Sequence, residues 1–238
     1  MRTLAVLPVK GFDAAKQRLG GTLAGGSRRA LAQAMFTDVL AALGRAQRLQ
    51  GVVVITSDRS AAAAAHGGTT LVLPDEAGSG QSAAAAIGIR HAVANGFDRV
   101  LLVPGDAPML EAEEIDLLLD RLEDEGLEAA VIPDRHGEGT NGLVLSPADA
   151  LEPAFGVGSL ERHLDLARAA GLRHRLEAVG SLALDIDTPE DLAELCALLE
   201  ERHGVAPRTR GALRQLDRSR ALDRLPAAGP PVAQALQA

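Results

Sequence analysis

The chain has 238 residues, of which 47% are hydrophobic, and a formal net charge of −8. No apolar run reaches the roughly 18 residues that a membrane-spanning helix needs, and the N-terminus lacks the pattern of a signal peptide. The acidic charge and the absence of Trp and Tyr argue against nucleic acid as a partner, so we expect a soluble, cytoplasmic protein that binds neither nucleic acid nor membrane.

Three cations follow the first predicted strand, which covers residues 4–9. Lys10 and Lys16 are the only two lysines among the 24 basic residues of the chain, and Arg18 follows them in the same loop. The loop matches neither the Walker motif nor the Gly-x-Gly-x-x-Gly fingerprint, so a P-loop and a dinucleotide site lose their main support. A binding site for an anion and a solvated basic loop are the two interpretations of this segment.

The next part of the chain alternates between helices and strands. A helix is predicted from residue 27 to residue 43, strands over residues 51–56 and 71–73, and a short Ala-rich helix between these strands. Ser27 and Asp58 precede the two helices, where their side chains can accept hydrogen bonds from backbone N–H groups. We therefore expect both residues to cap a helix.

A glycine-rich loop, residues 74–82, precedes a helix that is predicted to end near Gly96. The last three residues of the loop are Gly80, Gln81 and Ser82. Glycines at a helix N-terminus allow backbone N–H groups to approach an anion, which the helix dipole also favours. A site for an anionic ligand and a plain flexible loop are both compatible with this pattern.

A short apolar run, residues 100–103, continues as Gly105-Asp106 and Pro108. A uniformly apolar run of this length predicts a strand that is covered on both faces. Asp106 then lies at the carboxyl end of a central strand, which is where open α/β sheets place their ligands. The alternative is an aspartate that only forms a turn before the acidic helix predicted over residues 111–125.

Two more strands, residues 129–132 and 143–145, flank a polar loop and predict a hairpin or a long loop over the sheet edge. A Gly-containing segment then leads into a helix that starts at Ser159 and ends near residue 168. Ser159 is either the N-cap of this helix or a residue that holds phosphate. His163 lies one turn further along the same face of the helix.

The last strand of the core is predicted over residues 182–187. Asp185 and Asp187 are two residues apart, so they point to the same face of a strand. Two carboxylates on one face repel each other unless a cation lies between them, and together with Asp106 they could share a divalent ion. The alternative is that both cap the next helix, which begins with the start signal Thr188-Pro189.

The composition changes after residue 204. Six arginines and two aspartates occur in residues 205–238, where four leucines predict a weak helix and the residues from 226 onward a disordered tail. We therefore divide the chain into a domain of residues 1–204 and a basic extension, whose removal is expected to leave catalysis intact. The single cysteine, Cys196, lies in an apolar helical pattern, which predicts a buried thiol rather than a nucleophile.

Five motifs occur in an order that is typical of one protein family. They are Pro8-Val9-Lys10 with Ala15-Lys16 and Arg18-Leu19, Gly105-Asp106 with Pro108, Gly139-Thr140-Asn141-Gly142, Phe155-Gly156 with Gly158-Ser159 and His163, and Asp185-Ile186-Asp187-Thr188-Pro189. Over residues 1–203 the chain resembles the 2-phospho-L-lactate guanylyltransferase family, some members of which are phosphoenolpyruvate guanylyltransferases. The resemblance implies an α/β, Rossmann-like nucleotidyltransferase (GT-A-like) fold with a mixed, mostly parallel sheet and helices on both faces.

The same resemblance implies roles for individual residues. Asp106, Asp185 and Asp187 would hold two Mg²⁺ ions, and Thr140, Gly156 and Ser159 would bind the phospho-acid acceptor. Lys10, Lys16 and Arg18 would face the triphosphate of GTP, with Asp106, Lys16 and Arg18 as the catalytic residues. Gly80, Gln81 and Ser82 would contact the nucleotide, although Gly-Leu-Asn is the sequence expected there from the family.

The implied reaction is the attack of the acceptor phosphate on the α-phosphorus of GTP, with release of pyrophosphate, in coenzyme F-420 biosynthesis. Phosphoenolpyruvate is favoured over 2-phospho-L-lactate because the Ala- and Arg-rich composition suggests a GC-rich bacterial genome, and bacterial members of the family are associated with phosphoenolpyruvate. A metal-dependent glycosyltransferase and a non-catalytic nucleotide-binding relative are the alternatives. A homodimer and a hand-over of the product to the next enzyme of the pathway are further hypotheses.

Overall fold

A seven-stranded sheet forms the centre of the computed structural model, which describes residues 1–67, 70–75, 78, 80–219, 222 and 225–226. In chain order the strands are β1 Thr3–Pro8, β2 Gly51–Ile55, β3 Thr70–Leu73, β4 Arg99–Leu102, β5 Ala129–Pro133, β6 Thr140–Leu145 and β7 His174–Leu176. Their order across the sheet is β3-β2-β1-β4-β6-β5-β7, and among these strands β6 alone runs antiparallel to its neighbours. The α/β class, the mostly parallel sheet and the hairpin of β5 and β6 are therefore confirmed.

Helices cover both faces of this sheet. In the described ranges they are α1 Gly25–Leu43, α2 Arg59–Ala65, α3 Gln81–Ala94, α4 Ala112–Asp124, α5 Ser159–Ala169, α6 Pro189–Glu201 and α7 Pro207–Arg218. Ala5 and Leu7 of β1 pack with α1 and α4 on one face, whereas Leu4 and Val6 pack with α3 on the other. This double coverage explains why β1, β2, β4 and β5 contain unbroken apolar runs. None of the helices described is long and apolar enough to cross a membrane.

Gly88 allows α3 to lie close to β1. A Cβ atom at this position would be 2.2 Å from Val6 Cγ1, which is closer than two carbon atoms can approach. Any larger residue would push the helix away from the sheet. Because α3 begins at Gln81, this packing also sets the position of the helix N-terminus at the carboxyl end of the sheet.

Two predicted helix caps are confirmed. Asp58 accepts a hydrogen bond from Ala61 N at 2.8 Å at the start of α2. Thr188 and Asp191 form a capping box at the start of α6, in which each side chain accepts a hydrogen bond from the backbone N–H of the other residue. Both caps join residues three positions apart, which is why the sequence alone predicts them.

The predicted cap at Ser27 is wrong, and so is the N-cap alternative for Ser159. α1 begins at Gly25, with Ala24 in the cap position, so Ser27 already lies inside the first turn of the helix. Ser159 is the first helical residue of α5 and is not its cap. The cap position belongs to Gly158, whose backbone is left-handed, with a φ of 69°, a conformation that glycine adopts without steric cost.

The strand predicted over residues 182–187 is wrong. A 3₁₀ turn covers Gly180–Leu182, and the residues after it do not join the sheet. Ile186 N donates a hydrogen bond to Asp106 O at 3.2 Å, so the segment is attached to the loop after β4 instead of to a sheet edge. The strand at the edge of the sheet next to β5 is β7, which the sequence analysis missed.

The helix α7 belongs to the apolar packing of the protein. Leu213 and Leu216 are each 7% exposed and contact a cluster that contains residues of α1 and α6. Asp38 of α1 accepts hydrogen bonds from Arg208 N and Thr209 N at 3.1 and 2.7 Å, so it satisfies the first turn of α7. The division predicted at residue 204 therefore does not separate α7 from the core. The predicted tail after residue 226 lies outside the described residues.

Removal of residues 205–238, which the sequence analysis expected to leave catalysis intact, is expected to destabilise the protein. The truncation removes Leu213 and Leu216 from the apolar cluster that also contains Leu31 and Met35 of α1, which should cost several kcal/mol and lower the Tm by roughly 10 °C or more. Leu213→Ala should cost about 2–4 kcal/mol, whereas Leu117→Ala, at an exposed position of α4, should change stability little. Thermal unfolding measures all three. Wild-type melting of the truncated chain would show that α7 contributes nothing to stability.

Candidate active site

The loops after β1, β3 and β4 meet at the carboxyl end of the sheet and line a cavity of about 460 Å³. Its lining includes Lys10, Lys16, Asp75, Gly80, Gln81, Asp106 and Asp187. Because parallel strands bring their carboxyl ends to one edge, residues far apart in the sequence become neighbours there. Asp106 thus lies at the edge where the sequence predicted it, in a cavity of the size that holds small-molecule ligands.

Lys16 lies at the centre of a cluster of carboxylates. Its Nζ forms ion pairs with Asp106 Oδ2 and, at 3.0 Å, with Asp187 Oδ1, and its side chain is 4% exposed. Burial by itself lowers the pKa of Lys16, but the two carboxylates outweigh it, so the pKa is raised above its usual value and the ammonium stays charged. The backbone of Lys16 is left-handed, with a φ of 58°, a strained conformation that persists because the ion pairs and the surrounding packing hold it.

Asp185 completes the cluster, and Asn141 orients it. Asn141 Nδ2 donates hydrogen bonds to Asp185 Oδ1 at 3.0 Å and to Leu182 O at 2.9 Å. Burial, and next the negative charge of Asp106, raise the pKa of Asp185 to about 6. Asn141 lies in the Gly-Thr-Asn-Gly motif of the sequence, but its orienting role follows only from the structure.

The cluster combines three carboxylates with one ammonium and therefore carries excess negative charge. Carboxylate oxygens are the ligands that a hard divalent cation prefers, so the donor set suits Mg²⁺. In their present arrangement, however, no three His, Cys, Asp or Glu side chains of the described residues could hold a metal ion together. The Lys16 ammonium lies between Asp106 and Asp187 and neutralises part of their charge.

A second ion-pair network supports Asp187 from outside the cavity. Asp191 Oδ2 accepts a hydrogen bond from Asp187 N at 2.9 Å, while its Oδ1 pairs with Arg135 at 2.7 Å. Arg135 also pairs with Glu194 of α6. Sequence analysis missed Arg135, because it lies in the hairpin between β5 and β6, more than fifty residues from both partners.

The predicted nucleotide-binding residues are distributed unevenly. Lys10, Gly80 and Gln81 line the cavity, as Lys16 does. Arg18 is exposed on a short 3₁₀ turn and is not part of the lining. Ser82 also lies outside the lining, and its Oγ accepts a hydrogen bond from Phe155 N at 2.9 Å. Ser82 therefore joins the start of α3 to the segment 154–158, which precedes α5.

The predicted acceptor residues lie beside the cavity and not in its lining. Thr140 and Ser159 are 8% and 2% exposed, and Gly156 has a φ of 118°, which favours glycine. The Arg162 guanidinium donates hydrogen bonds to Ala154 O and Val157 O and so braces the segment 154–158. Arg162, which the sequence analysis did not single out, places a cation next to this segment.

His163 is fully buried between Thr140 and the segment 154–158. Its Nδ1 lies 2.9 Å from Thr140 Oγ1, and its Nε2 accepts a hydrogen bond from Ala154 N at 2.8 Å. The ring also packs edge-on against Phe155, with the centroids 5.1 Å apart. Burial, and next the charge of Arg162, lower the pKa of His163 to about 4, so the imidazole is neutral at physiological pH.

His163 should make the protein less stable in mild acid. In the unfolded chain the imidazole takes up a proton below pH 6.5, whereas in the native protein it does so only near pH 4. The unfolded state thus binds more protons in this window, and stability should fall with the pH by up to about 3 kcal/mol.

The carboxyl of Asp185, with its raised pKa of about 6, contributes the opposite slope as the pH falls. The measurement is therefore the difference in free energy of unfolding between the wild type and His163→Gln at pH 7 and at pH 4. The wild type should lose more stability than the variant on acidification. Equal losses in the two proteins would contradict the lowered pKa of His163.

Comparison with protein families gives one match that covers most of the chain. The family described as guanylyl transferase CofC like matches residues 3–228. The match extends beyond residue 204 and includes α7, in agreement with the packing of this helix against α1 and α6.

Several curated proteins are similar along most of their length. The phosphoenolpyruvate guanylyltransferase of Conexibacter woesei is 48% identical over 219 residues, which cover 92% of this chain and 98% of that protein. The 3-phospho-D-glycerate guanylyltransferase of Phenylobacterium zucineum is 37% identical over 80% of this chain and 88% of its own. The 2-phospho-L-lactate guanylyltransferase of Methanothermobacter thermautotrophicus is 33% identical over 91% of this chain and 92% of its own.

A solved structure supports the fold independently of these sequences. The crystal structure of a protein from Desulfovibrio desulfuricans, described by similarity as a nucleotide-diphospho-sugar transferase, superposes with a TM-score of 0.73 at 20% identity, covering 94% of this chain and 99% of the other. The Rossmann-like nucleotidyltransferase fold expected from the sequence is thereby confirmed.

Proposed function

Since this chain belongs to the guanylyl transferase CofC like family, we propose that it transfers GMP from GTP to phosphoenolpyruvate and releases pyrophosphate, in coenzyme F-420 biosynthesis. The observation that carries the proposal is the cluster of Lys16 with Asp106 and Asp187 at a cavity on the carboxyl edge of the sheet. Nucleotidyl transfer needs positioning and charge neutralisation more than covalent chemistry, and this cluster can supply both.

The nucleotide would bind in the cavity with its triphosphate towards Lys10 and Lys16. Both lysines line the cavity, and the N-terminus of α3 at Gly80 and Gln81 lies on its wall. Backbone N–H groups at such a helix start favour phosphate oxygens. Arg18 would reach the triphosphate from outside the cavity, since its side chain is exposed in the same part of the chain as Lys16.

Asp106, Asp185 and Asp187 would hold Mg²⁺. The support is electrostatic: the cluster already carries excess negative charge, and a triphosphate cannot approach it closely without an additional cation. When bound, the ion would neutralise charge on the transferred phosphate and on the leaving pyrophosphate. The Lys16 ammonium, which now pairs with two of these carboxylates, would then contact the phosphates.

The acceptor would bind at Thr140, Gly156 and Ser159, with its phosphate oxygen aimed at the α-phosphorus of GTP. The P–O bond to the acceptor forms as the bond to pyrophosphate breaks, so the acceptor itself is the nucleophile. The protein then needs no nucleophilic side chain. The one cysteine of the chain, Cys196, is accordingly a poor nucleophile: it is half-buried in α6, and burial raises the pKa of its thiol to about 11.

The test is a screen for pyrophosphate release with GTP or ATP and each of three acceptors. These are phosphoenolpyruvate, 2-phospho-L-lactate and 3-phospho-D-glycerate, with reactions that lack an acceptor as the control. We expect GTP with phosphoenolpyruvate to give the highest kcat/KM. Phosphoenolpyruvate and 2-phospho-L-lactate differ in shape at one carbon, which is worth only about 1–3 kcal/mol in a pocket, so a slower reaction with 2-phospho-L-lactate is expected.

Each outcome of the screen separates two hypotheses. A preference of about tenfold or more for another acceptor would overturn phosphoenolpyruvate and leave the guanylyltransferase assignment standing. Binding of GTP without pyrophosphate release from any pair would favour the non-catalytic relative. A separate assay with nucleotide-sugars tests the glycosyltransferase, which turnover of such a substrate would favour. A homodimer and a hand-over of the product stay hypotheses. Sedimentation measurements of the mass in solution would test the first, and a coupled assay with the next enzyme would test the second.

A further inference from the structure

His163 is a buried titratable residue that the proposed transfer reaction does not use directly. It is 0% exposed, and both of its ring nitrogens have partners. The two partners, Thr140 on β6 and Ala154 before α5, belong to the two segments that would form the acceptor site. Their common contact with one imidazole is the starting point of the inference.

The hydrogen bonds determine the tautomer of His163. A backbone N–H can only donate, so Nε2 must accept the hydrogen bond from Ala154 N and carries no proton. A neutral imidazole then carries its proton on Nδ1, which donates to Thr140 Oγ1 at 2.9 Å. Thr140 Oγ1 is therefore the acceptor in this contact.

The tautomer of His163 restricts where the hydroxyl proton of Thr140 can point. Since Oγ1 accepts from His163, its own proton must point to another group, and Thr140 Oγ1 forms no second hydrogen bond within the part of the chain that the structure describes. Thr140 opens β6 at the edge of the sheet where the carboxylates lie, and the next residue, Asn141, points to the opposite face and contacts Asp185. A hydroxyl with its proton held available suits an anionic oxygen of a ligand.

We propose that His163 is a positioning residue for the acceptor: it keeps the Thr140 hydroxyl proton available for an anionic oxygen of the phospho-acid and holds Ala154 at the same time. This inference rests on the proposed function, because it assumes that Thr140 contacts the acceptor. The competing explanation is a core histidine that only satisfies two buried polar groups and has no effect on acceptor binding.

Two substitutions separate the two contacts of the imidazole. In His163→Asn the amide nitrogen can replace Nδ1 and donate to Thr140. In His163→Gln the amide oxygen can replace Nε2 and accept from Ala154 N, but the contact to Thr140 is lost. Both variants retain an uncharged polar side chain, so a comparison between them controls for the removal of the ring.

The kinetic test measures the KM of the acceptor and of GTP separately for the whole chain. We expect His163→Gln to raise the acceptor KM about tenfold and to leave the GTP KM within about twofold, whereas His163→Asn should stay within about threefold for both. Combined with Thr140→Val, His163→Gln should cause no further change, because the hydroxyl that it positions is already absent. A core role alone would change both KM values equally, or make the Asn variant as poor as the Gln variant, and would overturn the proposal.

A spectroscopic measurement tests the premise without turnover. The ¹⁵N shifts of the His163 ring in the intact protein should show a protonated Nδ1 and an unprotonated Nε2 at neutral pH. The opposite tautomer would overturn the inference even if the variants fail to fold. If instead the tautomer is as expected but the wild type releases no pyrophosphate with any acceptor, the proposed function fails first, and the inference falls with the acceptor that it assumes.

Discussion

Replacement of Asp106 by Asn is expected to lower kcat by about a thousandfold or more while the protein stays folded. The side chain pairs with Lys16 and, in the proposed reaction, contributes a charged ligand to Mg²⁺. Asn has nearly the same shape but no charge, so the packing is retained and the electrostatic interaction is lost. Pyrophosphate release at saturating GTP, acceptor and Mg²⁺ measures the effect, and circular dichroism checks the fold.

Asp165→Asn is the matched control for this experiment. This substitution also replaces a carboxylate by an amide, but on the exposed face of α5, where the ion pair of Asp165 with Arg168 contributes little to stability. Its kcat should stay within about twofold of the wild type. If Asp106→Asn kept more than about a tenth of the wild-type rate, the proposed role of this carboxylate would have to be abandoned.

Replacement of Lys16 by Met is expected to lower kcat/KM for GTP by about a hundredfold or more. The change removes the ammonium between Asp106 and Asp187 and leaves their mutual repulsion uncompensated. It also removes a charge that the triphosphate would meet in the cavity. Met has a similar length and is apolar, so the variant tests the charge and keeps most of the volume.

Lys10→Met provides the comparison within the same loop. Lys10 lines the cavity but is exposed, so solvent screens its charge and we expect a loss of only about tenfold. Steady-state kinetics with varied GTP distinguish the two variants. Equal losses for Lys10→Met and Lys16→Met would show that the ion pairs of Lys16 have no special role in the reaction.

Local patterns in the sequence determined much of the fold. The apolar runs around Val53 and Leu101 predicted strands of the sheet, and Asp58 and Thr188 predicted helix starts, because each of these features depends on residues only a few positions apart. Asp106 was placed correctly at the carboxyl edge for the same reason: a buried strand that ends at Gly-Asp defines an edge by itself. The motifs also identified the family, which the comparisons confirm.

Other features depended on contacts that no local pattern contains. Lys16 pairs with carboxylates 90 and 171 positions away, and Ser82 accepts a hydrogen bond from Phe155 N, 73 positions away. The packing of α7 on α1 likewise joins Asp38 to residues at the other end of the chain.

The sequence by itself therefore determined the α/β class, most of the strands and the identity of the charged residues. Only the tertiary structure decided which charge meets which, that residues 182–187 leave the sheet, and that His163 links Thr140 to Ala154. The physical reason is that hydrophobic periodicity reports which side of a segment is buried, whereas a hydrogen bond or an ion pair requires two specific atoms to meet. That meeting depends on how all the segments pack together.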